Sequence, residues 1–350
     1  MALMIRISDI AADVKLSRVT VSAILNDRYK KLGISEKTAQ RVLAQAEIMG
    51  YVPNQNALSM RNGRSLTIGI MSSAISEEWG AKMLCGALRA VQSTQYSLRV
   101  ETVLGAEEER SALKRLLGSR IEGLFCFNIN PPPETDEFFK LATERYRVAV
   151  VSNNCSFSFP HERVEVDNST AVMVLMEHLV GLGHRQIAHI GGDHNSDSSR
   201  ERSEAFLRGV EHFNLKPDEC PVRLSNWEWD QARTTARQLL ESSKPPTAVL
   251  CVNDSIAACV LQVANELNIK VPNELSVVGI TNERMSQLTV PPLTTVGIPC
   301  EEIGHAGIRA LFELIESKRE LATQKITRHP CVPVIRDSSA AARPLYEAIQ

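Results

Sequence analysis

The sequence predicts an N-terminal all-α helix-turn-helix headpiece followed by a larger, two-lobed α/β body, and three observations carry that division. Within the first fifty residues apolar side chains recur at offsets of three and four, the spacing of amphipathic helices. From Leu66 onward, short β-branched runs alternate with helical stretches, the order expected of parallel sheets wrapped by helices. The chain's 350 residues also exceed one ordinary core, since about 100–200 residues make a domain. The α/β stretch is itself too long for one sheet of modest size, so two lobes with a cleft between them are expected.

Taken in order, Ile7, Ile10, Ala11 and Val14 share one face of a short helix, and Lys15-Leu16-Ser17 follows as a tight turn. Ser17 is a good helix cap. Val21, Ile24 and Leu25 recur at three and four behind it, so a second helix of about two turns starts at once, and two short helices so joined make a helix-turn-helix candidate. A charged loop over 27–33 leads to Ser35, which can cap a third helix. That helix carries Ala39, Val42, Leu43, Ala46 and Met49 on its inner face and is ended by Gly50. Three helices alone fit a protein-binding unit as well as a DNA-binding one.

Charge separates the two parts. The chain carries a net −2, yet residues 1–64 hold ten basic and five acidic side chains, a surplus of +5 that leaves −7 on the remainder. A basic head on an acidic body directs the head alone toward nucleic acid, because phosphates attract the one and repel the other. The eight cysteines never form a C-x-x-C pair, so buried free thiols are expected rather than a disulfide framework or zinc site. The opening apolar run is too short for a signal peptide, and no stretch approaches the roughly 20 apolar residues of a membrane span. A cytoplasmic protein with no membrane partner is expected.

In the body, residues 67–71, 97–102, 123–128, 148–151, 187–191, 248–252 and 276–279 read as strands, with helices between them. Ligands in such folds sit at the carboxyl ends of the strands. There is no phosphate-binding G-x-x-x-x-G-K-[ST], no G-x-S-x-G and no G-x-G-x-x-G between a strand and a helix, so neither an enzyme nor a bound cofactor is expected. His184, His189 and His194 are five apart and cannot share a helical face as zinc ligands would.

Ser17-Arg18-Val19-Thr20-Val21-Ser22, with Asp9-Ile10-Ala11 before it and Tyr51-Val52-Pro53-Asn54 after it, resembles the headpiece of the LacI/GalR family of bacterial transcriptional regulators. The likeness continues through 181–192, 246–254, Val271-Pro272, 277–279 and 291–296 and covers the chain to about residue 340. It implies a headpiece at 1–52, a hinge helix or linker at 53–65, a periplasmic-binding-protein-like effector and dimerisation domain at 66–340, and a C-terminal tail at 341–350. One lobe would take about 66–152 plus 297–325, the other about 153–296 plus 326–340. The tail carries no leucine heptads, so no tetramerising coiled coil is expected.

The resemblance also implies roles. The second helix would enter the major groove of operator DNA, with Arg18, Val19 and Ala23 at base edges. Arginine's planar fork suits the two acceptors of guanine, whereas Val19 and Ala23 offer apolar contact, for instance to a thymine methyl. Ser17, Thr20, Ser22, Asn26 and Tyr51 match phosphate-binding positions; Ser17 could equally be only a cap. Ala57, Met60 and Arg61 match the hinge that lies in the minor groove, with Met60 as the wedge where the family usually has Leu. Lys15 stands at a turn position where Gly or Asn is common, and the loop after the second helix is longer than usual. In the body, Trp79, Asn153, Arg202, Trp227, Asn253 and Thr281 match effector-binding positions, although Thr281 stands where the family often has Asp. Either tryptophan could instead be core, and Asp254 could cap the helix that follows Asn253. A homodimer on a pseudo-palindromic operator, repressing transcription under control of a small molecule with sugar favoured, is the function implied.

Overall fold

A computed structural model describes residues 5–52, 64–155, 157–317 and 324–342. It divides into two compact units, Met1–Ser65 and Leu66–Gln350. In the first, helices α1 (Ile7–Asp13), α2 (Arg18–Leu25) and α3 (Glu36–Ile48) close around Ile10, Val14, Val21, Ile24, Ala39 and Val42. Lys15 takes a left-handed φ of 54° in the turn, and the Leu16 N–H reaches back to the Ala11 carbonyl at 3.0 Å. A residue with a Cβ holds that conformation at a cost glycine would avoid. Arg41 of α3 donates Nη2 to the Val14 carbonyl at 3.1 Å, which satisfies an otherwise orphaned group at the end of α1 and ties the third helix to the turn. Leu43 departs from expectation and is 47% exposed. It lies about 100° around the helix from Val42, past the edge of the buried stripe that Ala39, Val42 and Ala46 form.

The second unit carries strands β1 (Thr67–Ser72), β2 (Ser97–Thr102), β3 (Gly123–Phe127), β4 (Ala149–Asn153), β5 (Glu162–Val166) and β6 (Ile187–Gly191). They continue with β7 (Val222–Leu224), β8 (Ala248–Cys251), β9 (Ser276–Val278), β10 (Thr295–Gly297), β11 (Lys325–His329) and β12 (Val332–Val334). Between them lie α4 (Glu78–Val91), α5 (Ala106–Gly118), α6 (Pro133–Tyr146), α7 (Asn168–Gly181), α8 (Asp197–His212), α9 (Trp229–Leu240), α10 (Asp254–Glu266) and α11 (Cys300–Ser317). Six strands pair in parallel in the order β11-β5-β4-β3-β1-β2, four in the order β7-β6-β8-β9, and β10 pairs antiparallel with β12. The central strands of both parallel sheets, β3, β6 and β8 among them, are buried on two faces, as strands flanked by helical crossovers must be. Ile68, Phe125 and Val151 pack under α4 and α11, and Leu113, Leu124 and Phe139 fill the opposite side beneath α5 and α6.

The lobe boundary differs from the expected one. β5 joins the first sheet beside β4, and β11 joins beside β5, so the first lobe takes about 66–166 plus 300–329 and the second about 168–297 plus 332–342. The chain crosses at Asp167, at 298–299 and at 330–331, and Ile298 and Cys331 pack against the cores of both lobes. β5 carries little strand signature because Glu162, Arg163 and Glu165 interrupt its apolar pattern. Tertiary pairing makes the strand tolerable: Arg163 Nε lies 2.8 Å from the buried Glu165 carboxylate.

All eight cysteines are free, but Cys85 is exposed and Cys331 half-buried, so the expectation of buried thiols holds at only six. His184 and His189 are buried and hydrogen-bonded, while His194 is exposed. Among the described residues no helix is long and apolar enough to cross a membrane, and no His, Cys, Asp and Glu cluster could hold a metal ion.

Candidate functional site

The headpiece presents a recess whose one wall is Arg18, Val19, Ser22 and Ala23 of α2, and whose other is Ile7, Arg28, Lys31 and Leu32. The three expected base readers therefore lie together. Val19 is 75% exposed, and Ala23, though buried, lines the same recess. Ser17 serves as the cap: its hydroxyl accepts the Thr20 N–H at 3.0 Å and lies 2.8 Å from the Thr20 hydroxyl. Asn26 ends α2, its Nδ2 donating to the Ser22 carbonyl at 2.5 Å. Tyr51 packs against the helical core, and burial pushes its phenol up. Ala57, Met60 and Arg61 lie outside the described residues.

Arg28, Lys31 and Leu32 were not foreseen from sequence as part of this face. Their loop is held from beneath, because Tyr29 is buried and donates its hydroxyl to Glu36 at 3.1 Å. A 3₁₀ turn at Lys30–Leu32 and Gly33 at φ 66° then bring the cations and a 61% exposed Leu32 beside α2. The signal available in sequence was a run of three cations in an unusually long loop, whose direction only the turn geometry fixes.

In the second unit a cavity of about 730 Å³ opens where the strands of both sheets end. Trp79, Asn153, Arg202, Trp227, Asn253 and Thr281 all line it. Trp79 stands at the start of α4 with its ring edge-on to Phe127, centroids 6.3 Å apart. Trp227 leaves β7 at a φ of 62°, its indole laid over Gly192, where a Cβ would fall 2.3 Å from the ring. Trp229, the remaining tryptophan of the chain, also lines the cavity and was missed. All three tryptophans of the protein thus line one cavity, Trp229 being 67% exposed. Thr281 has a φ of 124°, which a β-branched residue rarely adopts, and such strain is typically held at functional sites.

The polar groups are mostly positioned by the fold. Arg202, buried on α8, donates Nε to Asn168 at 2.8 Å and Nη1 to the Val252 carbonyl at 2.6 Å. Both acceptors are neutral and burial draws its guanidinium down to about 10, so it still carries its charge at neutral pH. Asn153, at the end of β4, donates to the Val164 carbonyl at 2.8 Å. The cap of α10 is Asn253, whose side chain accepts the Ile256 N–H at 2.9 Å, which corrects the reading of Asp254 as the cap. Asp254 is fully buried and accepts instead from the Thr295 hydroxyl at 2.6 Å and the Glu283 N–H at 2.8 Å. It therefore braces the loop after β9. Seven asparagines line the cavity, at 128, 130, 153, 154, 168, 195 and 253, so the wall offers both donors and acceptors.

Residues 6–54 match the family of bacterial regulatory proteins, lacI family, and residues 176–339 match a periplasmic binding protein-like domain. The chain is 27% identical over 336 residues to the HTH-type transcriptional regulator DegA of Bacillus subtilis, covering 95% of this chain and 98% of that one. It is 24% identical to the HTH-type transcriptional repressor CytR of Escherichia coli, over 95% of this chain and 96% of the relative. Among solved structures, the lac repressor dimer bound to operator and the anti-inducer ONPF superposes with a TM-score of 0.85 at 24% identity, covering 97% of this chain and all of that one. A complex of the transcriptional regulator CelR with cellobiose superposes at 0.71, with 21% identity and 96% and 100% coverage. With a helix-turn-helix in the first unit, a two-lobed fold in the second and regulators related along nearly the whole length, the chain belongs to the LacI family of DNA-binding transcription regulators.

Proposed function

We propose that the protein is a homodimeric repressor that binds a pseudo-palindromic operator and releases or grips it according to a small polyhydroxylated molecule, a sugar or sugar derivative, held between its lobes. The observation that carries the effector half is the convergence of three indoles and seven amide side chains on one 730 Å³ cavity at the strand ends. Flat aromatic faces pack against the C–H surface of a sugar while amides and Arg202 pair with hydroxyls, and the volume falls in the ordinary range of small-molecule sites. The relatives lend support: one solved neighbour holds cellobiose and another, an Enterococcus faecium regulator, holds ribose.

On the DNA side, Arg18 reads a guanine, Val19 and Ala23 contact apolar base edges, and Ser17, Thr20, Ser22, Asn26 and Tyr51 set the register on phosphates. Ala57, Met60 and Arg61 enter the minor groove beside them, with Met60 wedged at a base step. Effector binding acts through the crossings at 167, 298–299 and 330–331: a ligand that prefers one angle between the lobes shifts operator affinity by that preference and no more. Neither catalysis nor a cofactor enters this mechanism.

The test is selection of bound duplexes from random DNA, with and without a panel of sugars. A two-fold symmetric consensus, bound with an affinity that one sugar changes at least fivefold, is the expected result. Equal and weak attraction to every duplex, whatever sugar is present, would refute the assignment. Because the only three tryptophans line the cavity, intrinsic fluorescence reports directly on its occupant.

A further inference from the structure

The acids of the cavity wall are, with one exception, already provided for or open to water. Glu165 is met by Arg163 Nε at 2.8 Å and by the Asn154 N–H at 3.0 Å. Asp193 accepts the Asn195 and Ser196 N–H groups at 3.1 and 2.7 Å. Asp197 pairs with Arg163 at 3.2 Å and Arg200 at 2.5 Å. Glu77 is exposed to water. Glu109 is the exception.

Glu109 sits on the first turn of α5, is 5% exposed, and lines the cavity. Its Oε2 is buried with no hydrogen-bond partner among the described residues. Burial raises its pKa, and no cation lowers it again. The neighbouring Arg110 does not help, since its guanidinium lies over the Phe138 ring at 5.5 Å. Arg202, the wall's own cation, is committed to Asn168 and the Val252 carbonyl in the other lobe. A buried carboxyl oxygen without a partner is a place that a ligand completes; on this wall only the Thr281 hydroxyl is likewise buried and unpartnered among the described residues, and of the two Glu109 alone is an acid.

We propose that the effector carries an amino group, and that its ammonium is seated against the Glu109 carboxylate in the manner of an amino sugar. This rests on the reading of the cavity as a sugar site and narrows it. A hydroxyl could donate one hydrogen bond to Glu109 but would leave the buried charge uncompensated, whereas an ammonium supplies both donor and counter-charge. A second anion beside that carboxylate would be repelled. Sugar acids and sugar phosphates are disfavoured for the same reason.

The experiment titrates the full-length protein with matched compounds and follows tryptophan emission: D-glucose, D-galactose and D-mannose, each beside its 2-amino-2-deoxy and uronic acid counterpart. At least one amino sugar should bind tenfold or more tighter than its neutral parent, the acids should bind more weakly still, and Glu109→Gln should abolish the difference between amine and parent. A neutral sugar or an acid that binds as tightly as its amine overturns the inference while leaving the sugar reading intact. Persistence of the amine preference in folded Glu109→Gln, as judged by its melting and operator binding, overturns it as well. If no compound of any class disturbs the indoles, the sugar reading falls and takes this inference with it.

Discussion

Replacing Glu283 by glutamine should make the protein more stable at pH 8 and leave it nearly unchanged at pH 4.5. Glu283 lies in the loop after β9 and is 8% exposed. Burial pushes its carboxyl up to about 7, reinforced by the like charges of Asp254, Glu78 and Glu77 and opposed by a 3.4 Å hydrogen bond from the Ser255 hydroxyl. Glu78 is itself held in place by Lys82 at 2.7 Å and by the Arg284 N–H at 3.0 Å, so it cannot swing away. Between an ordinary carboxyl value of 4.5 and about 7 the folded protein keeps a proton that the unfolded chain has lost. Stability therefore falls as pH rises through this window and levels off above it. At about 1.4 kcal/mol for each pH unit of that window, the ionised group costs roughly 3 kcal/mol at pH 8. Glutamine imitates the protonated acid and should recover most of it, raising Tm by about 5–10 °C at pH 8 in a unit of this size. Urea and thermal melts of both proteins between pH 4.5 and 8.5 would read the difference. Parallel pH profiles for the two, or a glutamine variant weaker than wild type at pH 8, would show that Glu283 has a counter-charge the present geometry does not reveal.

The headpiece and the cavity each admit a sharper perturbation. Arg18→Ala should relax preference at a single operator position at a cost of about 1–3 kcal/mol against the favoured base; unchanged preference at every position of a selected operator would remove Arg18 from the reading set. If Arg28 and Lys31 each neutralise one phosphate, the Arg28→Ala, Lys31→Ala double variant should flatten the slope of log K against log salt by about 1.8, and a slope identical to wild type would mean that the loop stays clear of the backbone. Gly192→Ala places a Cβ 2.3 Å from the Trp227 indole and must displace the ring or the strand end. It should lower stability by about 1–3 kcal/mol, shift tryptophan emission and blunt the effector response. Emission and response both equal to wild type would mean the indole does not form that wall.

Much of this was legible in the chain itself. Apolar spacing in the first fifty residues and the alternation of short β-branched runs with helical stretches specify the helix-turn-helix and the parallel α/β body, since both periods follow from backbone geometry alone. The cleft residues were accessible through motif likeness, because each stands just after a strand or on a helix facing the strand ends: Asn153 ends β4, Asn253 follows β8 and Arg202 lies on α8. Trp229 escaped because it sits only two residues beyond Trp227, at the head of α9, where nothing in sequence distinguishes a cavity wall from an exposed helix start.

What sequence determined is the set of local periods and short motifs, and hence the family, the headpiece and the order of elements. What only the tertiary structure decided is how charge is shared among residues distant in the chain. β5 is a strand because it is sandwiched between β4 and β11, and its buried Glu162 is met by Lys325 of β11 at 2.5 Å. Asp254 holds Thr295 of β10, 41 residues away, and the Glu283 N–H of the loop after β9, whereas the Oε2 of Glu109 has no partner among the described residues. Burial and pairing are properties of neighbours in space, and one-dimensional spacing fixes neighbours only within a helix turn or a strand.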